Sequence, residues 1–152
     1  MRFSLPWFRI GAVLGGLAVA FGAFGAHGLD DYFLKKHRDM PPKTVAGFQV
    51  PASWKYLQDF RTGAEYQMYH SLALLAVGLA AGRATRRRAI DLAGWCFMLG
   101  IVLFSGSLYA LTLTGDLHWA WATPIGGGLF LVGWSGLAFA AVDQLRNTRS
   151  AE

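Results

Sequence analysis

The stretch Phe21-Gly22-Ala23-Phe24-Gly25-Ala26-His27-Gly28-Leu29 closes an apolar run that begins at Ile10 and contains no acidic residue, lysine or arginine. A run of about twenty residues is the length that a helix needs to cross roughly 30 Å of hydrocarbon at about 1.5 Å of rise per residue. His27 lies at the far end of the run, where a titratable side chain is costly and raises a question of function. The stretch therefore predicts a membrane-spanning helix that ends in one polar group.

The composition of the chain indicates the same architecture. Of the 152 residues, 54% are hydrophobic and 15% are charged, whereas about 25% of the residues in a soluble domain are charged. The charges stand in blocks between long uncharged runs, which is the pattern of a protein that crosses a membrane several times. The net charge of +5 is explained by basic residues that flank apolar spans, so we expect no nucleic acid partner.

Three further apolar runs predict one all-α domain, residues 1–152, built as an integral membrane bundle of four transmembrane helices. The predicted spans are residues 10–29, 66–81, 92–114 and 120–142. Residues 30–65 form the predicted outer loop, in which three prolines disfavour helix between Met40 and Pro51. From Ser53 onward, apolar residues recur at helical spacing, which predicts a short amphipathic helix in the membrane interface before the second span.

The distribution of basic residues predicts the orientation. Four spans place both termini on one side of the membrane, together with a set of arginines: Arg2, Arg9, Arg83, Arg86, Arg87, Arg88, Arg146 and Arg149. The opposite side carries six basic residues in the long loop and none in the Gly115 to Trp119 turn. Basic residues next to the spans favour the cytoplasmic face, so both termini are predicted to be cytoplasmic in a multi-pass protein of the cell inner membrane.

Successive spans cross the membrane in opposite directions. This places the polar residues of all four predicted spans at one depth, within roughly 10 Å of the outer surface of the membrane. The candidates for this polar layer are His27, Glu65, Tyr66, His70, Ser105, Ser107, Tyr109 and Thr123. Two interpretations stay open. The layer is either a network that fixes the order of the helices, at about 0.6 kcal/mol per interhelical hydrogen bond, or a small-molecule, proton or metal site open to the outer face.

The histidines alone do not define a cofactor site. Two neutral imidazoles could ligate a metal or haem iron, but no third ligand accompanies His27 and His70, so we expect no cofactor and no metal. His37 and His118 lie in predicted loops and are expected to be solvated. The chain has no Ser-His-Asp grouping in a plausible context and no phosphate-binding loop, and we therefore expect no catalytic residues and no enzymatic activity.

Four motifs carry a resemblance to a known family. They are residues 22–29 (GAFGAHGL), Tyr66 with residues 70–75 (HSLALL), residues 104–109 (FSGSLY), and residues 123–127 (TPIGG) with Gly133-Trp134. In this order they resemble the small four-helix membrane proteins grouped as domain of unknown function 423. The resemblance covers all four predicted spans and implies a polytopic inner-membrane protein, but no activity. The stretch from Lys35 to Ala52 looks longer than the usual connector of that family.

Three functions remain open at this point. The first is a non-enzymatic accessory or scaffold subunit of a membrane assembly. Its partners would be the lipid bilayer and other membrane subunits or a second copy, contacted through small-residue helix faces such as the one that contains Gly11, Gly15, Gly22 and Ala26. The second is a small-solute or proton carrier, or a channel-like protein, with a pocket in the polar layer. The third is a haem or metal redox protein.

Overall fold

The computed structural model describes residues 5–82 and 87–149 and has four long helices, each packed against the next. The helices are α1 (Leu5–His27), α2 (Asp30–Lys36), α3 (Ala52–Ala80), α4 (Arg87–Thr114) and α5 (Ala122–Arg149). Two short strands, β1 (Lys43–Val45) and β2 (Phe48–Val50), lie between α2 and α3, and a 3-10 turn (Leu117–Trp121) joins α4 to α5. The helix α1 packs on α3, α3 on α4, and α4 on α5.

Within the described residues, three helical segments are long and apolar enough to cross a membrane: Pro6–His27, Arg87–Thr114 and Leu117–Ala140. They cover the first, third and fourth predicted spans. The helix α3, which contains the predicted second span, is not among them. It packs between α1 and α4 and buries several of its polar residues, including Gln67, His70 and Ser71. A helix enclosed by its neighbours can carry polar side chains that a lipid-facing helix cannot.

The predicted interfacial helix is not a separate element. The helix α3 runs without a break for 29 residues, from Ala52 to Ala80. Its first turns bury Tyr56, Leu57 and Phe60 in a cluster with α2 and the last turns of α4. This segment is therefore the first part of α3 and not a separate short helix.

The segment before α3 is folded, and we call residues 30–51 the cap. Helix is absent between Met40 and Pro51, as predicted, but β1 and β2 form an antiparallel hairpin there, so the all-α prediction is wrong for this segment. Both turn residues, Ala46 and Gly47, have positive φ angles, of 50° and 85°. Turns of this kind match the twist of paired strands, which explains a hairpin in a stretch with few other strand signals.

Glycines bring the long helices into backbone contact. A Cβ added at Gly78 of α3 would lie 2.7 Å from the backbone nitrogen of Phe8, and one at Gly126 of α5 would lie 2.5 Å from that of Phe104. A Cβ added at Gly11 of α1 would likewise lie 2.8 Å from the carbonyl oxygen of Ser71. Small residues at these positions therefore let the helices of the chain pack closely against one another.

Several of the arginines that predict the orientation lie outside the described residues. This applies to Arg2, Arg83 and Arg86, and to the side chains of Arg146 and Arg149. The described Trp7 donates a hydrogen bond from Nε1 to Asp91 at 2.9 Å, so α1 and α4 begin at the same end of the bundle. The cap and the 3-10 turn lie at the other end, where His37 of the cap contacts Thr112 of α4.

Candidate functional site

His70 connects α3 to α5 and uses both of its ring nitrogens. Its Nδ1 lies 2.7 Å from the carbonyl oxygen of Tyr66, and because a carbonyl only accepts, Nδ1 carries the proton. Trp134 Nε1 donates to His70 Nε2 at 3.3 Å. The ring also stacks on Phe130, with centroids 3.4 Å apart and an interplanar angle of 4°. This arrangement holds a neutral imidazole in one tautomer and leaves it no free nitrogen for a ligand.

Gln67 joins three helices and is absent from the predicted polar layer. Its Nε2 donates to the carbonyl oxygen of Leu14 in α1 at 2.8 Å, and its Oε1 accepts from the Tyr109 hydroxyl of α4 at 3.0 Å. The side chain is 3% exposed, so both of its polar atoms are used in a buried setting. The signal that could have found it was an amide side chain within the predicted second span.

A third link connects α4 to α5. The hydroxyls of Ser107 and Thr123 lie 2.8 Å apart, and Ser107 also donates to the carbonyl oxygen of Phe104 at 2.9 Å. Ser105, one of the predicted residues, is fully buried, and its hydroxyl has no partner among the described residues. Four predicted residues, His70, Ser107, Tyr109 and Thr123, therefore take part in hydrogen bonds between helices, whereas the backbone carbonyl of Tyr66 accepts from His70 within α3.

His27 does not share a site with His70. A Cβ at Gly25 would lie 3.2 Å from the Phe60 ring, which places the end of α1 ten residues before His70 along α3. At about 1.5 Å per residue the two histidines are separated by roughly 15 Å along the axis, far more than two metal–nitrogen bonds of about 2 Å each can span. The prediction of a common depth is wrong because α3 begins at Ala52, eighteen residues before His70.

Glu65 and Tyr66 occupy different faces of α3. Glu65 is exposed, and its carboxylate has no hydrogen bond or ion pair to any residue within 6–82 and 87–140, the ranges whose side chains the structure describes. Tyr66 stacks on Phe104 of α4 with centroids 4.6 Å apart, at the edge of a groove of about 810 Å³ between α3 and α5. The groove is lined by Tyr66, Tyr69, His70, Phe104, Pro124, Gly127, Gly128, Phe130, Leu131 and Trp134. The surface of the groove is mainly aromatic, and Trp134 Nε1 and His70 Nε2 are hydrogen-bonded to each other.

His37 is buried, which corrects the expectation that it is solvated. It is 2% exposed and lies against the rings of Phe33 and Tyr56, with centroid distances of 5.6 and 4.2 Å. Its Nε2 donates to the carbonyl oxygen of Thr112 in α4 at 3.0 Å, so the cap is tied to the bundle. The remaining nitrogen, Nδ1, is buried without a partner among the described residues.

Burial also sets the charge state of His37. Loss of hydration holds the pKa of His37 below its usual 6.5; the hydrogen bond to Thr112 opposes this effect, and the positive charges of Lys36 and Lys43 add to it. His118, in contrast, is solvated as predicted, with a side chain that is 94% exposed. It pairs with Asp116, and the hydrogen bonds from His118 lower the pKa of that carboxyl group.

The described residues contain no group of three or more His, Cys, Asp or Glu side chains that could hold a metal ion. The two imidazoles of the predicted layer, His27 and His70, are also far apart. The polar residues form three separate links between helices: His70 with Trp134, Gln67 with Tyr109 and Leu14, and Ser107 with Thr123. The arrangement can fix the relative positions of α1, α3, α4 and α5. It does not converge on one reactive group.

Comparison with known proteins agrees with the fold. A family model described as "Protein of unknown function (DUF423)" matches residues 21–127. The chain belongs to this family. The family resemblance predicted from the four motifs is therefore confirmed, and the chain is a membrane protein of unknown function.

Several curated relatives of similar length are named as UPF0382 membrane proteins. The UPF0382 membrane protein YwdK of Bacillus subtilis is 39% identical over 136 residues, which cover 90% of this chain and 95% of the relative. A UPF0382 membrane protein of Haemophilus influenzae is 41% identical over 130 residues, covering 86% and 88%. The UPF0382 inner membrane protein YgdD of Escherichia coli is 39% identical over 144 residues, covering 93% and 92%. No solved structure matches the chain.

Proposed function

We propose that this protein crosses the inner membrane four times, with both termini in the cytoplasm, and acts as a non-enzymatic accessory or scaffold subunit of a membrane assembly. The single observation that carries the scaffold role is the pairing of its buried polar groups across helix contacts. The four-span placement rests on how α3 packs.

The helix α3 lies antiparallel to α1 over most of its length. Gly25 near the end of α1 meets Phe60, and Phe8 near its start meets Gly78, so the last twenty residues of α3 lie beside the apolar helix α1. If α1 crosses the membrane, this part of α3 shares its depth. The buried polar side chains of α3, such as Gln67, then have protein partners, which lowers the cost of a second span.

Cysteine labelling tests this topology. In a Cys96→Ala background, a cysteine replacing the exposed Gln49 of the hairpin is expected to react with a membrane-impermeant maleimide in intact spheroplasts. A cysteine replacing the exposed Arg88 at the start of α4 is expected to react only after permeabilisation. Labelling of both positions in intact spheroplasts contradicts the four-span orientation, and the reverse pattern indicates that the protein is inverted.

The pairing of the polar groups supports a structural role over a carrier. His70 is bonded at both nitrogens, and the amide of Gln67 and the hydroxyls of Ser107 and Thr123 are used at helix contacts. His27 and His70 cannot form one carrier or redox site, because the two residues are about 15 Å apart along the axis of α3. Links of this kind hold helices in a fixed order, which is what a subunit with a docking role requires.

The scaffold role is tested by affinity purification of the tagged protein from its native membrane in a mild detergent, followed by native mass spectrometry. We expect a complex well above the 16.6 kDa of one chain, with at least one other membrane protein in a fixed ratio. An untagged membrane and an unrelated tagged four-span protein are the controls. Recovery of this chain alone, together with uptake of a solute by liposomes that contain it, would contradict the proposal.

A further inference from the structure

The groove between α3 and α5, which we call the aromatic groove, is walled by packed rings. Tyr66, Phe104 and Phe130 come from three different helices, and their ring centroids lie 4.6 to 6.3 Å apart. The hydrogen bond from Trp134 to His70 holds the indole of Trp134 in place beside this cluster. The wall therefore presents aromatic surfaces whose positions are fixed by contacts within the chain.

The α5 side of the aromatic groove leaves room for a ligand. Pro124, Gly127 and Gly128 line it, and a Cβ added at Gly128 would meet no atom within 4 Å. The volume of about 810 Å³ lies within the range of small-molecule sites, roughly 300–1,000 Å³. No aspartate, glutamate, lysine or arginine is among the lining residues. The groove is therefore suited to an uncharged molecule.

Two hydroxyl groups of the lining residues have no partner in the described part of the chain. Tyr66 and Tyr69 both line the aromatic groove, and neither hydroxyl is hydrogen-bonded to a residue within 6–82 and 87–140, the ranges with described side chains. Tyr69 is 54% exposed, so other parts of the chain leave much of its ring uncovered. Each phenol can donate one hydrogen bond to an acceptor from outside the chain.

The depth of these tyrosines restricts what that acceptor can be. A Cβ at Gly25, near the end of α1, would touch the ring of Phe60. Tyr69 follows Phe60 by nine residues, or roughly 14 Å along the axis of α3. In the proposed four-span placement, on which this step rests, that depth is near the middle of about 30 Å of hydrocarbon. Water is absent there, so the acceptor has to be a group that is itself dissolved in the membrane.

We propose that the aromatic groove binds a prenylated quinone, with a carbonyl oxygen of the quinone accepting a hydrogen bond from Tyr66 or Tyr69. A quinone ring is flat and uncharged, as the ring-lined wall requires, and its prenyl tail keeps it in the hydrocarbon. An acyl chain has no acceptor, and a charged phospholipid headgroup stays at the membrane surface. The backbone carbonyls of a neighbouring helix are already bonded within that helix.

Photolabelling tests whether a quinone occupies the groove. The probe is an azido-substituted ubiquinone analogue, added to the full chain in phosphatidylcholine nanodiscs, and the adducts are mapped by peptide mass spectrometry. We expect adducts on residues 66–70 of α3 and 127–134 of α5, which are abolished by an excess of ubiquinone. A polyprenol, which has the prenyl tail without the quinone ring, should not compete. Adducts spread over every lipid-facing helix, or equal competition by the polyprenol, overturn the proposal.

A steric variant tests the position of the site. Gly128→Leu fills the open part of the groove and is expected to weaken ubiquinone binding by about tenfold or more, measured as the ubiquinone concentration that halves the labelling. Gly106→Leu is the matched control, because Gly106 also has no atom within 4 Å of a Cβ and does not line the groove. Equal affinities of the two leucine variants overturn the proposal.

Removal of the hydroxyls tests the hydrogen bond without adding volume and does not depend on the folding of a leucine variant. The double variant Tyr66→Phe with Tyr69→Phe keeps both rings, and loss of one neutral hydrogen bond should weaken ubiquinone binding by about fivefold. Tyr32→Phe is the control, because Tyr32 lies in the cap and outside the groove. A double variant that binds ubiquinone as tightly as the control overturns the proposal.

The outcomes separate this inference from the scaffold role, because labelling is measured on the isolated chain. Labelling that ubiquinone abolishes, in a chain that brings no other membrane protein through purification, overturns the scaffold role and leaves the quinone site standing. A chain that co-purifies with another membrane protein but shows no ubiquinone-sensitive labelling does the reverse.

Discussion

Replacement of Gly126 by alanine is expected to lower the free energy of unfolding by about 1–3 kcal/mol or more, the range for overpacked cores. The added Cβ would lie 2.5 Å from the backbone nitrogen of Phe104 and 2.9 Å from its Cα. Backbone atoms within α4 cannot move aside alone, so α5 has to move as a body. This displacement also stretches the nearby hydrogen bond between Ser107 and Thr123.

Gly128→Ala is the matched control for this prediction. Gly128 lies in the same helix two residues later, and a Cβ there would meet no atom within 4 Å. Both substitutions raise helix propensity by up to about 1 kcal/mol, so the difference between the two variants isolates the overlap with Phe104. Thermal unfolding in one detergent, followed by far-UV circular dichroism, measures that difference. Equal midpoints for the two variants would show that α4 and α5 do not pack as described.

The apolar helices could be predicted from the sequence because their signal is local. Twenty uncharged residues up to Leu29 indicate a span whatever lies beside them, and the same holds for α4 and α5. The full extent of α3 could not be predicted in this way. The first turns of α3 have the pattern of an amphipathic interfacial helix. The spacing of Leu57 and Phe60 indicates a buried face, but it does not indicate whether lipid or protein covers that face.

The contacts of the polar side chains depend on residues distant in sequence, which a local pattern does not contain. Tyr66 and His70 are four residues apart, and their contact within one helix was accessible to prediction. The hydrogen bond from His37 to Thr112 spans 75 residues, and the one from Gln67 to Leu14 spans 53. A histidine between charged residues is usually solvated, and only the packing of the cap against Tyr56 of α3 and Thr112 of α4 makes His37 an exception.

Acidification below pH 6.5 is expected to destabilise the cap through His37. Burial places the pKa of His37 in the folded protein below its usual 6.5, so the unfolded cap binds the proton more tightly. The stability of the cap is therefore complete above pH 6.5 and is lost as the pH falls from 6.5 towards the folded pKa of His37. Because opening of the cap binds a single proton at His37, the equilibrium constant for opening rises by at most about tenfold per pH unit. Protonation puts a new N–H at the buried Nδ1, which has no acceptor among the described residues.

Hydrogen exchange of peptides from the cap, measured by mass spectrometry between pH 5 and 7.5 and corrected for intrinsic exchange rates, follows this opening directly. His37→Phe keeps an aromatic ring against Phe33 and Tyr56 and removes the titrating group, so it should abolish the excess opening at low pH. His118→Gln is the control, because His118 is exposed and makes its contacts with Asp116 outside the cap. If the His37→Phe variant retains the full pH dependence, protonation of a different group opens the cap. If the cap of this variant opens at every pH, the hydrogen bond to Thr112 is the main contribution of His37 to the stability of the cap.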